Sequence, residues 1–212
     1  HPAPLPSPSQ LAFAAAISLF LLLEVVRIGG VPPLARPLVA FLCHFVDSRD
    51  GGCLVLTHIY LLLGCGIPIL LESALGIPFG TSPFMSGPTP LGTGPPPMGL
   101  ARRVAPYAGL TVLGIGDAMA SIVGVHFGRW RWPGTQKTVE GSAAAATSML
   151  LLLWLIDVTQ GGDGQGGSSR GEWGLVTLCT CGVCVLEAFT TQIDNLFLPL
   201  VYYAALLSLP QL

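Results

Sequence analysis

VAPYAGLTVLGIGDAMASIVGVHF, residues 104–127, runs for twenty-four residues with one charged side chain, Asp117. Roughly 20 predominantly apolar residues suffice to cross a hydrocarbon core of about 30 Å. The stretch therefore predicts a membrane-crossing helix with an acid inside it. Outward from it, apolar runs recur at 11–28, 54–71, 143–158, 174–189 and 196–212. Together they predict an all-α polytopic transmembrane helical bundle of about five to six membrane-spanning helices. Residues 1–212 read as a single integral-membrane domain.

Composition agrees. Of 212 residues 51% are hydrophobic and 9% charged, and the mean hydropathy is +0.70, whereas a soluble domain carries about 25% charged residues. A formal net charge of -2 with nine Lys plus Arg excludes nucleic acid as a partner, because binding a phosphate backbone needs a clustered basic footprint. The six cysteines (Cys43, Cys53, Cys65, Cys179, Cys181, Cys184) lie in or beside apolar runs, where a thiol behaves as a small hydrophobe. Cys179-Thr-Cys181-Gly-Val-Cys184 has no His nearby, so packing is expected there rather than metal. The first ten residues hold four prolines and no basic n-region, and the chain opens on His1. That pattern reads as a fragment whose first apolar run is a span, not a signal peptide.

Three stretches interrupt the runs. Residues 76–103 are Pro/Gly-rich and 161–173 are Gly/Ser-rich, both of low information. Residues 128–142, GRWRWPGTQKTVEGS, differ: Arg129, Arg131, Lys137, Glu140, Trp130 and Trp132 crowd a short loop, and loops this dense in chemistry carry function. Lys and Arg concentrate in cytoplasmic loops. Arg27, Arg36 and Arg49 fall between the first and second runs, and Arg129, Arg131 and Lys137 between the third and fourth, against Arg102, Arg103 and Arg170 on the other side. The 128–142 loop is accordingly expected in the cytosol.

Three polar constellations stand out. In the quoted span, Gly114, Asp117, Ser121, Gly124 and Gly128 step by three and four, which predicts one helical face; Gly124-x-x-x-Gly128 is a helix-contact pattern. An acid within the bilayer costs roughly 2.5 to 3.5 kcal/mol on insertion scales and marks function, or else pairs within a helix contact. In the loop, Trp132-Pro133-Gly134-Thr135-Gln-Lys137-Thr138-Val-Glu140-Gly141-Ser142 offers close backbone approach, one point charge and hydroxyls, a set suited to polyphosphate. It lacks the spacing of a Walker A loop, and an interfacial Trp/Arg anchor is the plainer alternative. Third, Glu187, Thr191, Asp194 and Asn195 recur at i, i+4, i+7 and i+8, a polar stripe whose carboxylates and amide are hard-cation ligands by type; a solvated helix end would account for Asp194 and Asn195 alone. The three sets are expected to converge at one membrane surface.

Gly116-Asp-Ala-Met-Ala-Ser-Ile-Val-Gly124, the 132–142 loop and Leu186-Glu-Ala-Phe-Thr-Thr-Gln-Ile-Asp-Asn-Leu-Phe-Leu-Pro-Leu200 closely resemble the dolichol kinase family of CTP-dependent polyprenol kinases, in the same order. The resemblance extends to Leu56-Thr-His-Ile-Tyr-Leu-Leu-Leu-Gly64 and Glu24-Val-Val-Arg27. It implies the C-terminal part of a multi-pass enzyme of the endoplasmic reticulum membrane. Such an enzyme uses CTP to phosphorylate dolichol, giving dolichyl phosphate and CDP for protein N-glycosylation and other dolichol-linked glycans. The family's cytosolic CTP-binding stretch corresponds to 126–141. Given that activity, the chemistry of the loop leads to expected CTP contacts from Trp132, Pro133, Gly134, Thr135, Lys137, Thr138, Glu140, Gly141 and Ser142. Catalytic roles would fall to Asp117, Lys137, Glu140, Glu187 and Asp194, and a divalent cation, magnesium, to Asp117, Glu187, Asp194 and Asn195. The motifs do not separate dolichol from another polyprenol, phytol or diacylglycerol as acceptor. A membrane transporter would also place acids on helix faces but would not need the Gly/Thr/Lys loop.

Overall fold

The computed structural model describes residues 8–42, 57–74, 99–160, 168–190 and 194–210. Each apolar run becomes helix: α1 (Pro8–Ile28), α2 (Ala35–Leu42), α3 (Thr57–Ala74), α4 (Leu100–Val104), α5 (Ala118–Phe127), α6 (Val139–Gln160), α7 (Arg170–Phe189) and α8 (Asp194–Ser208). Among the described residues four stretches are long and apolar enough to cross a membrane, namely Gln10–Ile28, Leu110–Phe127, Val139–Thr159 and Arg170–Phe189. The runs at 54–71 and 196–212 give the shorter apolar helices Ile59–Leu71 and Asn195–Ser208. The all-α membrane bundle is therefore as expected.

The core lies where α6, α7, α8 and the segment that opens at α4 meet. Leu100, Val104, Met149, Leu153, Val176, Leu198, Tyr202 and Leu206 are all fully buried there. Thr180 and Tyr202 share a 2.8 Å hydroxyl bond between α7 and α8, satisfying polar groups that would be costly to bury alone. Gly109 brings this segment against α3. A Cβ at Gly109 would run into the Gly64 carbonyl and the Cys65 backbone, so the approach requires glycine.

Three boundaries differ from the sequence reading. Helix begins at Leu100, inside the stretch read as loop to 103; residues 76–98 lie outside the described residues. Helix α7 begins at Arg170, inside the stretch read as loop to 173, because Ser169 accepts from the Glu172 N–H while the Glu172 carboxylate accepts from the Ser169 N–H. That reciprocal capping box fixes a helix start. Helix α6 begins at Val139, before the loop's expected end at 142. There the Thr138 Oγ1 accepts from the Gly141 N–H at 3.2 Å, a side-chain N-cap.

The quoted span is not uniformly α-helical. Ala105–Tyr107 is a 3-10 turn with Pro106 at its start, and Leu110–Asp117 is π-helical, passing into α5 at Asp117. Bonding i to i+5 rotates successive residues less than an α-helix does. The face predicted at α-helical spacing consequently breaks at its N-terminal end: Gly116, not Gly114, lies against α6, where an added Cβ would sit 2.8 Å from the Met149 sulfur. Gly114 is exposed. From α5 onward the expected contact holds. A Cβ at Gly124 would stand 3.0 Å from Thr138 Oγ1, and one at Gly141 would lie 2.8 Å from the Ala120 carbonyl oxygen. Helices α5 and α6 thus meet through glycine backbone.

Candidate functional site

The loop between α5 and α6 is a small hairpin built by its own sequence. Trp132-Pro133-Gly134-Thr135 places Pro second and Gly third, the requirement of a type II turn. Gly134 adopts φ +76°, and the Thr135 N–H donates to the Trp132 carbonyl at 3.2 Å. Flanking residues pair across the turn: Trp132 N–H to Lys137 O at 3.0 Å and Val139 N–H to Trp130 O at 2.8 Å, with Arg131 opposite Thr138. The Glu140 carboxylate closes the base by accepting from the Arg129 and Trp130 N–H groups, each at 3.1 Å.

Contacts to α7 seat this hairpin. Lys137 Nζ donates to the Glu187 backbone carbonyl at 2.8 Å and lies 3.2 Å from the Glu187 carboxylate. Trp132 meets the Phe189 ring edge-on with centroids 5.6 Å apart, and its indole N–H donates to Ser142 Oγ at 3.1 Å. Helix α7 carries no basic residue in its last turn. A helix C-terminus presents unsatisfied carbonyls and the negative end of the dipole, which a cation stabilises. Lys137 supplies that cation from fifty residues away in sequence. The Glu187 residue is 8% exposed, and a carboxylate buried to that extent is costly unless it is paired.

The expected convergence is realised for two of the three constellations. Loop and stripe meet at Lys137 and Glu187, but the stripe is not one helix as its spacing predicts: α7 ends at Phe189 with Thr190 extended, and Asp194 and Asn195 belong to α8. Of the α5 set, Gly124 and Gly128 lie against Thr138 of the loop, whereas its acid stands apart. Asp117 lies at the opposite end of α5 from Gly128, about 16 Å of helix away at 1.5 Å per residue, and it is exposed on the bundle surface. Asn195 opens α8 with its backbone carbonyl against Gly64 of α3. Asp194 heads the same helix; its side chain, like residues 191–193, lies outside the described residues. Among the described residues no three His, Cys, Asp or Glu side chains gather as a metal site.

The hydroxyls nominated for phosphate are engaged in shaping the loop. Thr138 Oγ1 caps α6, and Ser142 Oγ donates to the Thr138 carbonyl at 3.3 Å while accepting from Trp132. Pro133 and Gly134 form the exposed tip, and the Thr135 hydroxyl accepts from the Lys137 N–H at 3.3 Å. Sequence reasoning missed Phe189 and the Glu187 carbonyl, for which spacing gives no signal. It also missed the two caps, which Thr138 ahead of the α6 run and Ser169-x-x-Glu172 ahead of α7 do signal.

Comparison with known proteins gives one answer. Over 198 residues, 93% of this chain and 30% of the relative, the chain is 38% identical to the dolichol kinase EVAN of Arabidopsis thaliana. It is 40% identical over 190 residues to the dolichol kinase of Homo sapiens, covering 90% of this chain and 32% of that protein. Against the dolichol kinase of Saccharomyces cerevisiae it is 32% identical over 192 residues, 90% of this chain and 30% of that one. No protein-family model and no solved structure matches. The chain spans about a third of the length of the curated relatives it matches, and the matched part is their C-terminal part. In sequence, this chain corresponds to the C-terminal third of the dolichol kinases.

Proposed function

We propose that this chain carries the nucleotide loop and part of the membrane-embedded site of a dolichol kinase. The reaction transfers the γ-phosphoryl group of CTP to the hydroxyl of dolichol: the alcohol oxygen bonds to Pγ, the bond from Pγ to the β-bridging oxygen breaks, CDP leaves, and the hydroxyl proton passes to a carboxylate. The observation that carries this reading is the presentation of Lys137, by a Gly134-turned hairpin, at the end of α7, in a chain alignable over nine-tenths of its length with proteins named dolichol kinase.

Phosphoryl transfer leaves little covalent chemistry to the protein, so positioning and charge neutralisation dominate. Lys137 is the point charge for the phosphates. The N–H groups around Gly134 and Thr135, with the Thr138 and Ser142 hydroxyls that shape the loop, line the approach, and Trp132 braces it from the α7 side. Glu140 holds the hairpin base. Asp117 is the candidate to orient the alcohol, since an acid inside a span marks a polar path; that role requires the triphosphate to extend along the α5 and α6 helices. Magnesium binds chiefly through substrate phosphates with one or two carboxylates. The residues nominated for it are Asp117, Glu187 and Asp194 with Asn195, of which the Asp194 side chain lies outside the described residues, and no step of the transfer is routed through it. Arg129, Arg131 and Lys137 support a cytosolic loop by the positive-inside rule, in a multi-pass protein of the endoplasmic reticulum membrane.

The test uses the full-length protein in membranes, γ-labelled CTP and added dolichol, with ATP and other lipid alcohols as controls. CTP-dependent labelling of dolichol that falls by about 10²-fold or more in Lys137→Ala, the scale of losing a charge that stabilises a transition state, supports the reading. Labelling of no lipid alcohol by well-inserted protein would sink it.

A further inference from the structure

Glu187 is a metal-ligand candidate by sequence, and in the structure it meets Lys137. We propose that Glu187 is a positioning residue: its backbone carbonyl and its carboxylate together hold the Lys137 ammonium at the end of α7, with one donor left for a phosphate oxygen. The proposal rests on the nucleotide reading of the loop and deepens it.

An ammonium has three N–H donors and no acceptor. Two of Lys137's meet Glu187, at 2.8 Å to its carbonyl and 3.2 Å to Oε1. Among the described residues nothing takes the third. A lysine on a free stem would lose rotamer freedom on binding phosphate; here that ordering is already complete before a ligand arrives, which is what preorganisation means for affinity. The lysine side chain remains 34% exposed while the Glu187 side chain is 10% exposed, so the cation faces the open side and the anion lies behind it.

The burial also argues against Glu187 as the principal cation ligand. Magnesium keeps several waters and near-ideal octahedral geometry. A carboxylate at this depth, with an ammonium on one oxygen, offers neither the room nor an undivided charge. The Trp132 ring on Phe189 completes the seat, so the hairpin is held to α7 at two points two residues apart along that helix.

Two readouts separate positioning from metal binding, and one needs no activity. Trypsin added to sealed membranes with the loop outward cuts after Arg131 when the hairpin leaves α7. Glu187→Gln, which keeps volume and one acceptor but removes the charge, is expected to raise that cleavage rate by about tenfold or more, the factor for a charge-assisted hydrogen bond of about 1.5 kcal/mol. Lys137→Met should do the same, and the double variant should add little to either, because both remove one interaction. In transfer assays Glu187→Gln should raise the KM for CTP by a similar factor with a smaller change in kcat, and leave the half-saturating magnesium concentration within about twofold. Wild-type cleavage in Glu187→Gln, with a large rise in the magnesium requirement, overturns the proposal in favour of a metal ligand. Additive rate increases in the double variant overturn it as well. Because proteolysis reads docking without nucleotide, a protein that docks its loop yet transfers nothing from CTP would refute the kinase reading and not the docking.

Discussion

The bundle has two polar ends, and they are built differently. At the end away from the loop, Arg103 donates to Asp157 at 2.5 Å and to Ser168 Oγ at 2.6 Å, and the serine hydroxyl donates to the same Asp157 oxygen at 2.9 Å. Beside it Glu172 accepts from the Leu100 N–H at 3.1 Å and from Ser169 at 3.0 Å. Arg103, Asp157 and Ser168 bond one another and tie α4 to α6 and to the turn ahead of α7, while the buried Arg103 Nε meets no partner among the described residues. At the loop end a single ammonium meets a carbonyl and a carboxylate at longer range and keeps a donor for something else. A cluster buried between helices holds them together, whereas an ammonium left 34% exposed on a glycine-turned hairpin can take a ligand. The same two helices, α6 and α7, therefore end in a structural lock on one side and a candidate site on the other.

The contrast breaks first at Arg103. Arg103→Ala leaves the Asp157 carboxylate, 10% exposed, without its cation, and stranding one partner of a buried pair costs about 3 to 5 kcal/mol. The unfolding midpoint in detergent should drop sharply, while the KM for CTP of the folded fraction stays at the wild-type value. A raised KM with unchanged stability would mean that the lock also serves the site and that the two ends are not separable.

How much of this was legible depends on the range over which the information acts. Hydropathy runs located every long helix because bilayer length and apolarity are properties of contiguous residues. Thr138 and Ser169 mark their helix starts locally, and a reading that weighed caps would have moved two of the loop ends. The π-helical turns of Leu110–Asp117 were invisible, since hydropathy does not distinguish i to i+5 bonding from i to i+4, and Gly114 was placed on the packed face for that reason. Lys137 was legible as a residue type in a loop. Its pairing with Glu187 joins residues fifty positions apart, which no spacing encodes, so the stripe alone gave no sign that Glu187 meets a lysine.

A smaller effect sharpens the comparison at the joint between loop and membrane. Gly141→Val inserts a side chain where even a Cβ would lie 2.8 Å from the Ala120 carbonyl oxygen and 3.4 Å from the Gly124 Cα. Backbone cannot yield as a flexible side chain does, so α5 must move from α6 at a cost of about 1 to 3 kcal/mol. Because Gly141 is also where Thr138 caps α6, transfer activity should fall together with the detergent midpoint. Full activity in a destabilised Gly141→Val would show that the hairpin keeps its shape without the α5 contact.

The smallest expected effect isolates the hairpin from the bundle. Gly134 has φ +76° with open space around its Cα, so Gly134→Ala meets no clash and pays only the left-handed backbone strain, about 1 kcal/mol or slightly more. The turn is exposed at the tip and none of the core residues touch it, so the global unfolding midpoint should scarcely move. What should move is the population of hairpins with the type II turn formed, and with it the KM for CTP, by roughly the tenfold that 1.4 kcal/mol represents. Gly134→Asn, whose side chain tolerates positive φ better than alanine's, should recover part of that loss. If alanine and asparagine behave alike, the backbone conformation of the tip is not what the nucleotide reads, and the site's selectivity must lie with Lys137 and its seat on α7.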